Sequence, residues 1–319
     1  MMTRKNFLKA GAVLGAAAVA GKLTLDKLTP AREFSPNHQV TSDGITTRAI
    51  PSSGEQLPVV GMGSWRSFDV GESTEERAPL QEVLQLFFES GGRVLDSSPQ
   101  YARSEKVIGD LSRELGITDE LFMATKVWTE GEQDGVDQMN ASFAKLGVET
   151  MDLMQVHNLI DWQIHLKTLR EWKEQGRVRY IGVTHWEDDA LDDLEKIMQN
   201  EPLDFVQIHY SIKEAEAEKR ILPLAYDRGI AVLSNRPYAS GKLFKAVKGR
   251  SLPDFATEME CESWGQLFLK FVISHPAVVS ALPATSKPHH LLDNMGAAKG
   301  YLPTTADREK IRSFVENIL

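Results

Sequence analysis

The feature that most constrains this chain is a rhythm. From residue 59 onward, short runs of strand-forming residues alternate with segments of helical periodicity. Eight such runs occupy residues 59–62, 93–96, 122–126, 152–157, 180–183, 205–208, 230–233 and 278–282. They recur every 25–35 residues or so, the length of one βα unit, with a longer gap before the last. Eight units of this kind predict an α/β fold of the (β/α)8 TIM-barrel type. An open doubly wound sheet shares the rhythm and stands as the alternative.

Helix and turn signals agree with the rhythm. Residues 79–88 carry apolar side chains at helical spacing and stop at Gly91-Gly92, and residues 165–175 do the same before Gly176. The long gap holds an extra helix at 264–274, toward the C-terminus. Residues 214–220 are strongly charged and predict a solvated face. Ahead of the barrel, 45–50 and 57–60 flank the turn Ser52-Ser53-Gly54-Glu55 and predict an N-terminal β-hairpin.

Composition narrows the function. A chain of 319 residues with 42% hydrophobic and 25% charged residues builds a large core and is not disordered. A net charge of −9 argues against a general nucleic-acid binder, because phosphate contacts need a basic surface. The single cysteine, Cys261, excludes an intramolecular disulfide and a cysteine-based zinc site, and no residues are assigned to a metal. No apolar run predicts a stable membrane span.

The N-terminus reads as separate from the fold. Arg4, Lys5 and Lys9 precede an Ala/Gly-rich stretch from Ala10 to Ala20, with Ala18 and Ala20 at cleavage positions. Residues 3–9 resemble a twin-arginine export signal, with Lys5 in place of the second Arg. The resemblance implies a signal peptide at 1–20, use of the twin-arginine translocation machinery, and export to the periplasm; without a working signal the protein is cytoplasmic. Residues 21–44, rich in Thr, Ser and Pro, predict a flexible tether, leaving 45–319 as the barrel.

Polar residues cluster where the fold class puts active sites, at the C-terminal ends of strands. Asp96 ends the second barrel strand, Lys126 the third and His157 the fourth, and Tyr101 follows Asp96 in its loop. A tyrosine with an ordinary pKa of about 10 needs a nearby ammonium to approach working pH. A buried lysine needs a carboxylate to stay charged. Asp96, Lys126 and Tyr101 form that chain and make the phenol a general acid. His157 beside it orients a carbonyl oxygen. The set suits an oxygen that gains negative charge, as in hydride addition to a carbonyl.

These residues sit in motifs that resemble the aldo/keto reductase family. The likeness runs from about Ile45 to the C-terminus. It is carried by Gly61-Met62-Gly63-Ser64-Trp65, by GGRVLDSSPQYARSEKVIG with Asp96 and Tyr101, by ATKVW with Lys126, by DLMQVHN with His157, and by GRVRYIGVTH and DFVQIHYS. The resemblance implies catalytic Asp96, Tyr101, Lys126 and His157, with Tyr101 as proton donor to an aldehyde or ketone and the hydride coming from NADPH, with NADH as the alternative. It implies a small-molecule carbonyl substrate and a nicotinamide lying across the barrel mouth.

Residue by residue, the resemblance implies cofactor contacts from Gly63, Ser64 and Trp65 in the first loop. Thr184, His185 and Gln207 hold the nicotinamide amide, with Thr184 and His185 replacing the family's Ser and Asn. Asn235 stands near a position where some members stack an aromatic ring, and Arg236 meets the pyrophosphate or forms a salt bridge. Thr285, Lys287 and His290 face the adenosine phosphate without the family's Arg fork, and Asp293 and Asn294 meet the adenine. Trp65, Trp128 and Trp162 line the substrate cleft. Two other readings remain open: a cofactor-binding regulatory or redox-sensing protein with little turnover, and a Schiff-base aldolase using Lys126 as the amine.

Overall fold

The computed structural model describes residues 37–318, so the expected signal at 1–20 and most of the expected tether lie outside the described residues. Three short strands come first: β1 (His38–Val40), β2 (Thr46–Ala49) and β3 (Gln56–Pro58), paired antiparallel in that order. Eight parallel strands follow: β4 (Met62–Gly63), β5 (Val94–Asp96), β6 (Phe122–Val127), β7 (Met151–His157), β8 (Val178–His185), β9 (Phe205–His209), β10 (Ala231–Asn235) and β11 (Val278–Ala281). Neighbours in sequence are neighbours in the sheet. The seam closes where Gly61 N–H donates to Ala281 O (2.8 Å), Ala281 N–H to Val59 O (2.9 Å) and Gly63 N–H to Pro283 O (3.1 Å). The fold is a (β/α)8 barrel.

Seven barrel helices fill the connections: α1 (Thr74–Glu89), α2 (Ser104–Glu114), α3 (Glu132–Leu146), α4 (Trp162–Glu174), α5 (Leu191–Asn200), α6 (Ile221–Arg228) and, after short α7 (Lys242–Ala246) and α8 (Asp254–Glu258), α9 (Trp264–Ile273). Helix α10 (Pro288–Gly296) follows β11, and α11 (Thr305–Glu316) is the extra C-terminal helix. The segment read as extra at 264–274 is thus the seventh barrel helix. Its inward side packs on the sheet, and the gap is long because α7 and α8 precede it.

The core has two parts, as the pleat requires. Outward residues such as Met123, Met154, Val183 and Val206 pack under the helices. Inward residues Val94, Phe122, Leu153, Tyr180 and Phe205 fill the lower barrel, where Ile50 and Leu57 of the hairpin join them. The hairpin therefore plugs the N-terminal mouth.

Two readings of the flanking segments change. His38–Val40, expected in the tether, forms an edge strand on β2. All of its side chains are exposed, so it shows no alternation of apolar residues; its backbone pairing with β2 holds it, with Thr47 Oγ1 also donating to Gln39 O at 3.4 Å. The charged stretch 214–220 is not wholly a solvated face. Glu218 turns inward to Arg308 and Arg312 of α11 and accepts from the Tyr210 hydroxyl.

Candidate active site

The same pleat that places the plug also builds the site. Two residues above Phe122 and Ala124 the inward file of β6 reaches Lys126. Above Val94 it reaches Asp96, above Leu153 Gln155 and then His157, and above Phe205 Gln207 and then His209. Parallel register sets Lys126 beside Gln155, His157 beside Thr184, and Thr184 beside Gln207. A ring of polar groups therefore sits over an apolar floor, at the C-terminal mouth.

Tyr101 reaches this ring through a turn. Pro99 occupies the second position of Ser98-Pro99-Gln100-Tyr101, and Tyr101 N–H donates to Ser98 O at 2.9 Å, the closure of a β-turn with a proline-fixed φ. Ser98 Oγ accepts the Gln100 N–H at 3.2 Å, which braces the same turn.

Lys126 is the centre of the contacts. Its Nζ donates to Asp96 Oδ2 at 2.7 Å and to Ser97 O at 2.5 Å, and lies 5.2 Å from the Tyr101 ring centroid. Gln207 Nε2 donates to Asp96 Oδ1 at 2.8 Å, with Gln155 Nε2 at 3.4 Å from the same oxygen. The His157 ring meets Tyr101 edge-on, centroids 6.0 Å apart, and its Nδ1 is 3.0 Å from Ser98 Oγ. All four expected catalytic residues are brought together.

The electrostatics follow from burial and this pairing. Burial alone would discharge Lys126, but the Asp96 carboxylate reverses that effect and raises its pKa. Burial, with help from the Lys126 and His185 charges, drives His157 down to about 2, so the imidazole is neutral. Tyr101 departs from expectation. Burial raises its pKa more than the Lys126 charge lowers it, so the phenol is held protonated and is not tuned down toward neutrality in the resting protein. The ammonium instead stands ready for the negative charge that appears when the proton leaves.

The other expected contacts divide. Thr184 and Gln207 are buried at the ring, where Thr184 Oγ1 donates to Gln207 Oε1 at 3.3 Å. His185 is half-buried at the end of β8, its Nδ1 accepting the Glu187 N–H at 3.2 Å. Asn235 ends β10 with a buried Oδ1 that has no partner among the described residues. Arg236 stacks on Trp186, 4.7 Å from the ring centroid, and donates to Ser240 Oγ at 3.0 Å; among the described residues it makes no salt bridge. Thr285 Oγ1 accepts the Lys287 N–H at 3.1 Å just before α10, and Lys287 and His290 are exposed at the start of that helix.

Four expected cofactor positions also make contacts within the protein. Ser64 is fully buried and donates to Ser97 Oγ at 3.0 Å, which in turn donates to Ser104 at 3.3 Å. Asp293 accepts from Ser263 Oγ (2.8 Å) and Gln266 Nε2 (3.0 Å), tying α10 to α9. Asn294 is buried and accepts the Tyr238 hydroxyl at 2.6 Å. Gly63 serves the barrel seam, where a Cβ would meet Leu282 O at 3.1 Å.

Of the tryptophans, Trp65 is exposed after β4 with Arg66 stacked on it at 4.2 Å. Trp128 follows β6 with a buried Nε1 that has no partner among the described residues, and Trp162 opens α4 and packs on the helical side of the core. Ser98, Gln155, Asn158 and His209 are ring or rim residues that went unassigned. Gln155 and His209 carry a sequence signal, since each is a polar residue in the inward file of its strand, two positions from the already noted His157 and Gln207.

Comparison with known proteins gives the same picture. Residues 59–316 match the aldo/keto reductase family. The methylglyoxal reductase YeaE of Escherichia coli is 25% identical over 255 residues, covering 77% of this chain and 88% of that protein. The uncharacterized oxidoreductase YtbE of Bacillus subtilis is 24% identical over 288 residues, covering 86% and 95%. Among solved structures, an aldo/keto reductase from Klebsiella pneumoniae in complex with NADP and acetate superposes with a TM-score of 0.69 at 21% identity, covering 82% of this chain and 93% of that one. The holo form of an aldo-keto reductase from Bacillus halodurans gives 0.67 at 21% identity, covering 84% and 96%. With the family matched over most of the chain and the barrel mouth arranged as described, this chain belongs to the aldo/keto reductase family.

Proposed function

We propose that the protein reduces an aldehyde or ketone to an alcohol, using NADPH in preference to NADH. The observation that carries this reading is the buried Lys126 ammonium, held 2.7 Å from Asp96 and beside the Tyr101 ring. A reduced nicotinamide, when bound across the mouth, supplies the hydride to the carbonyl carbon. As the carbonyl oxygen gains charge, the Tyr101 hydroxyl gives it a proton. Lys126 stabilises the phenolate that forms, and Asp96 keeps Lys126 cationic. His157, being neutral, donates a hydrogen bond to the same oxygen and orients it.

The residues present fit a nicotinamide. Asn158 Oδ1 and Asn235 Oδ1 are buried carbonyl oxygens without partners among the described residues, at the ends of β7 and β10, and such acceptors suit a carboxamide N–H. Thr285, Lys287 and His290 at the start of α10 suit a phosphate. Klebsiella relatives crystallised with NADP and NADPH support the choice of cofactor. Two relatives are named methylglyoxal reductase and glyoxal reductase, so small 2-oxoaldehydes are the first substrates to test.

The Schiff-base alternative lacks a nucleophile. Lys126 is fully buried, donates to Asp96 and Ser97, and has a raised pKa, so it offers no free lone pair. The purified protein is to be assayed with methylglyoxal, glyoxal and aromatic aldehydes, with each reduced nicotinamide in turn. Carbonyl-dependent oxidation of NADPH is expected. Tight nucleotide binding with no turnover on any carbonyl would favour the regulatory reading instead.

A further inference from the structure

A neutral imidazole carries one N–H, and the nitrogen that holds it decides whether the ring can donate to a carbonyl oxygen. At His157 a count of hydrogens gives the answer. Ser98 Oγ accepts the Gln100 N–H at 3.2 Å, which occupies one of its lone pairs. Its own hydroxyl hydrogen must then find an acceptor. Among the described residues that acceptor is His157 Nδ1, 3.0 Å away. Ser98 is fully buried and His157 only 5% exposed, so stranding the hydrogen would cost a buried unsatisfied donor.

We infer that Ser98 donates to Nδ1 and thereby fixes His157 as the Nε2–H tautomer, which makes Ser98 a positioning residue for carbonyl binding. The opposite tautomer would point Nδ1–H at Ser98 Oγ, orphan the hydroxyl hydrogen, and turn a bare Nε2 lone pair toward the substrate oxygen. Two lone pairs repel, so that state cannot orient a carbonyl. The doubly protonated ring, which would donate from both nitrogens, is suppressed by burial and by the Lys126 charge. Nε2 has no hydrogen-bond partner among the described residues, which leaves its N–H for the substrate. The consequence for turnover rests on the carbonyl-reduction reading, whereas the tautomer itself does not.

The test is the nitrogen-15 spectrum of His157 in the resting full-length protein, assigned by comparison with His157→Gln. The expected result is a pyridine-type signal at Nδ1 and a pyrrole-type signal at Nε2. A pyrrole-type Nδ1 overturns the inference. In Ser98→Ala the tautomer is released, and the Nδ1 and Nε2 signals move toward each other as the neutral ring exchanges between its two tautomers. The same variant loses roughly tenfold in kcat/KM for the carbonyl, the worth of one neutral hydrogen bond, with nucleotide affinity unchanged. Ser98→Thr restores both. A Ser98→Ala protein with unaltered His157 signals and rate also overturns it. If the wild type reduces no carbonyl at all, the reductase reading fails, while the spectrum still decides the tautomer.

Discussion

Replacing Asp96 by Asn tests whether the Lys126 charge depends on its carboxylate. The side chains of Lys126 and Asp96 are 0% and 6% exposed, and their atoms meet at 2.7 Å. Removing one partner of such a buried pair leaves an uncompensated ion and costs about 3–5 kcal/mol. For a chain of this size that loss lowers Tm by on the order of 10 °C. Because pairing raises the Lys126 pKa, the stabilisation is fully present at neutral pH and fades only as pH climbs through the elevated value. The assay is calorimetric melting at pH 7 of Asp96→Asn, Lys126→Met and the double variant. Lys126→Met leaves Asp96 with amide donors from Gln207 and Gln155. The double variant, with neither member of the pair left as an unpaired ion, recovers to within about 1–2 kcal/mol of the wild type. All three lose turnover, since the ammonium is absent or has lost the carboxylate that holds it charged and in place. An Asp96→Asn protein that melts within about 2 °C of the wild type would refute the reasoning, as would a double variant as unstable as the sum of the singles.

Two further outcomes follow from the electrostatics and the plug. With His157 at about 2, the folded ring stays neutral while the unfolded chain protonates below about 6.5, so stability falls as pH drops. This single group contributes a slope of about 1.4 kcal/mol per pH unit between pH 6 and 4. His157→Gln removes that slope, and parallel curves for the two proteins contradict it. Ile50→Ala opens a cavity in the fully buried plug and costs about 2–4 kcal/mol of unfolding free energy in denaturant titrations. Its kcat and KM at 25 °C stay at wild-type values, because the plug lies below the polar ring; a large kinetic loss would show that floor and site are coupled.

The barrel was legible because its strands are buried on both faces. Runs such as Phe122–Val127 and Phe205–His209 read as apolar stretches even without knowledge of partners. The exposed edge strand His38–Val40 carried no such mark. The site was legible for a related reason. A charged residue at the end of an apolar run, such as Asp96 or Lys126, is conspicuous locally. What the sequence could not show is which groups a polar side chain spends itself on. Ser64 bonds Ser97, Asp293 bonds Ser263 and Gln266, and Glu218 meets Arg308, and each pairing joins segments distant in the chain. The direction of the Tyr101 shift was hidden likewise, because it depends on how deeply the Ser98–Tyr101 turn seats the ring.

The central claim is that Tyr101 delivers the proton. It is tested most directly by single-turnover mixing of NADPH-loaded protein with methylglyoxal, comparing the wild type with Tyr101→Phe. The phenylalanine keeps the ring and removes only the hydroxyl. The account predicts nucleotide affinity unchanged and hydride transfer slower by about 10²–10⁴-fold, the usual worth of a positioned general acid. A Tyr101→Phe protein that consumes NADPH at the wild-type rate would contradict it.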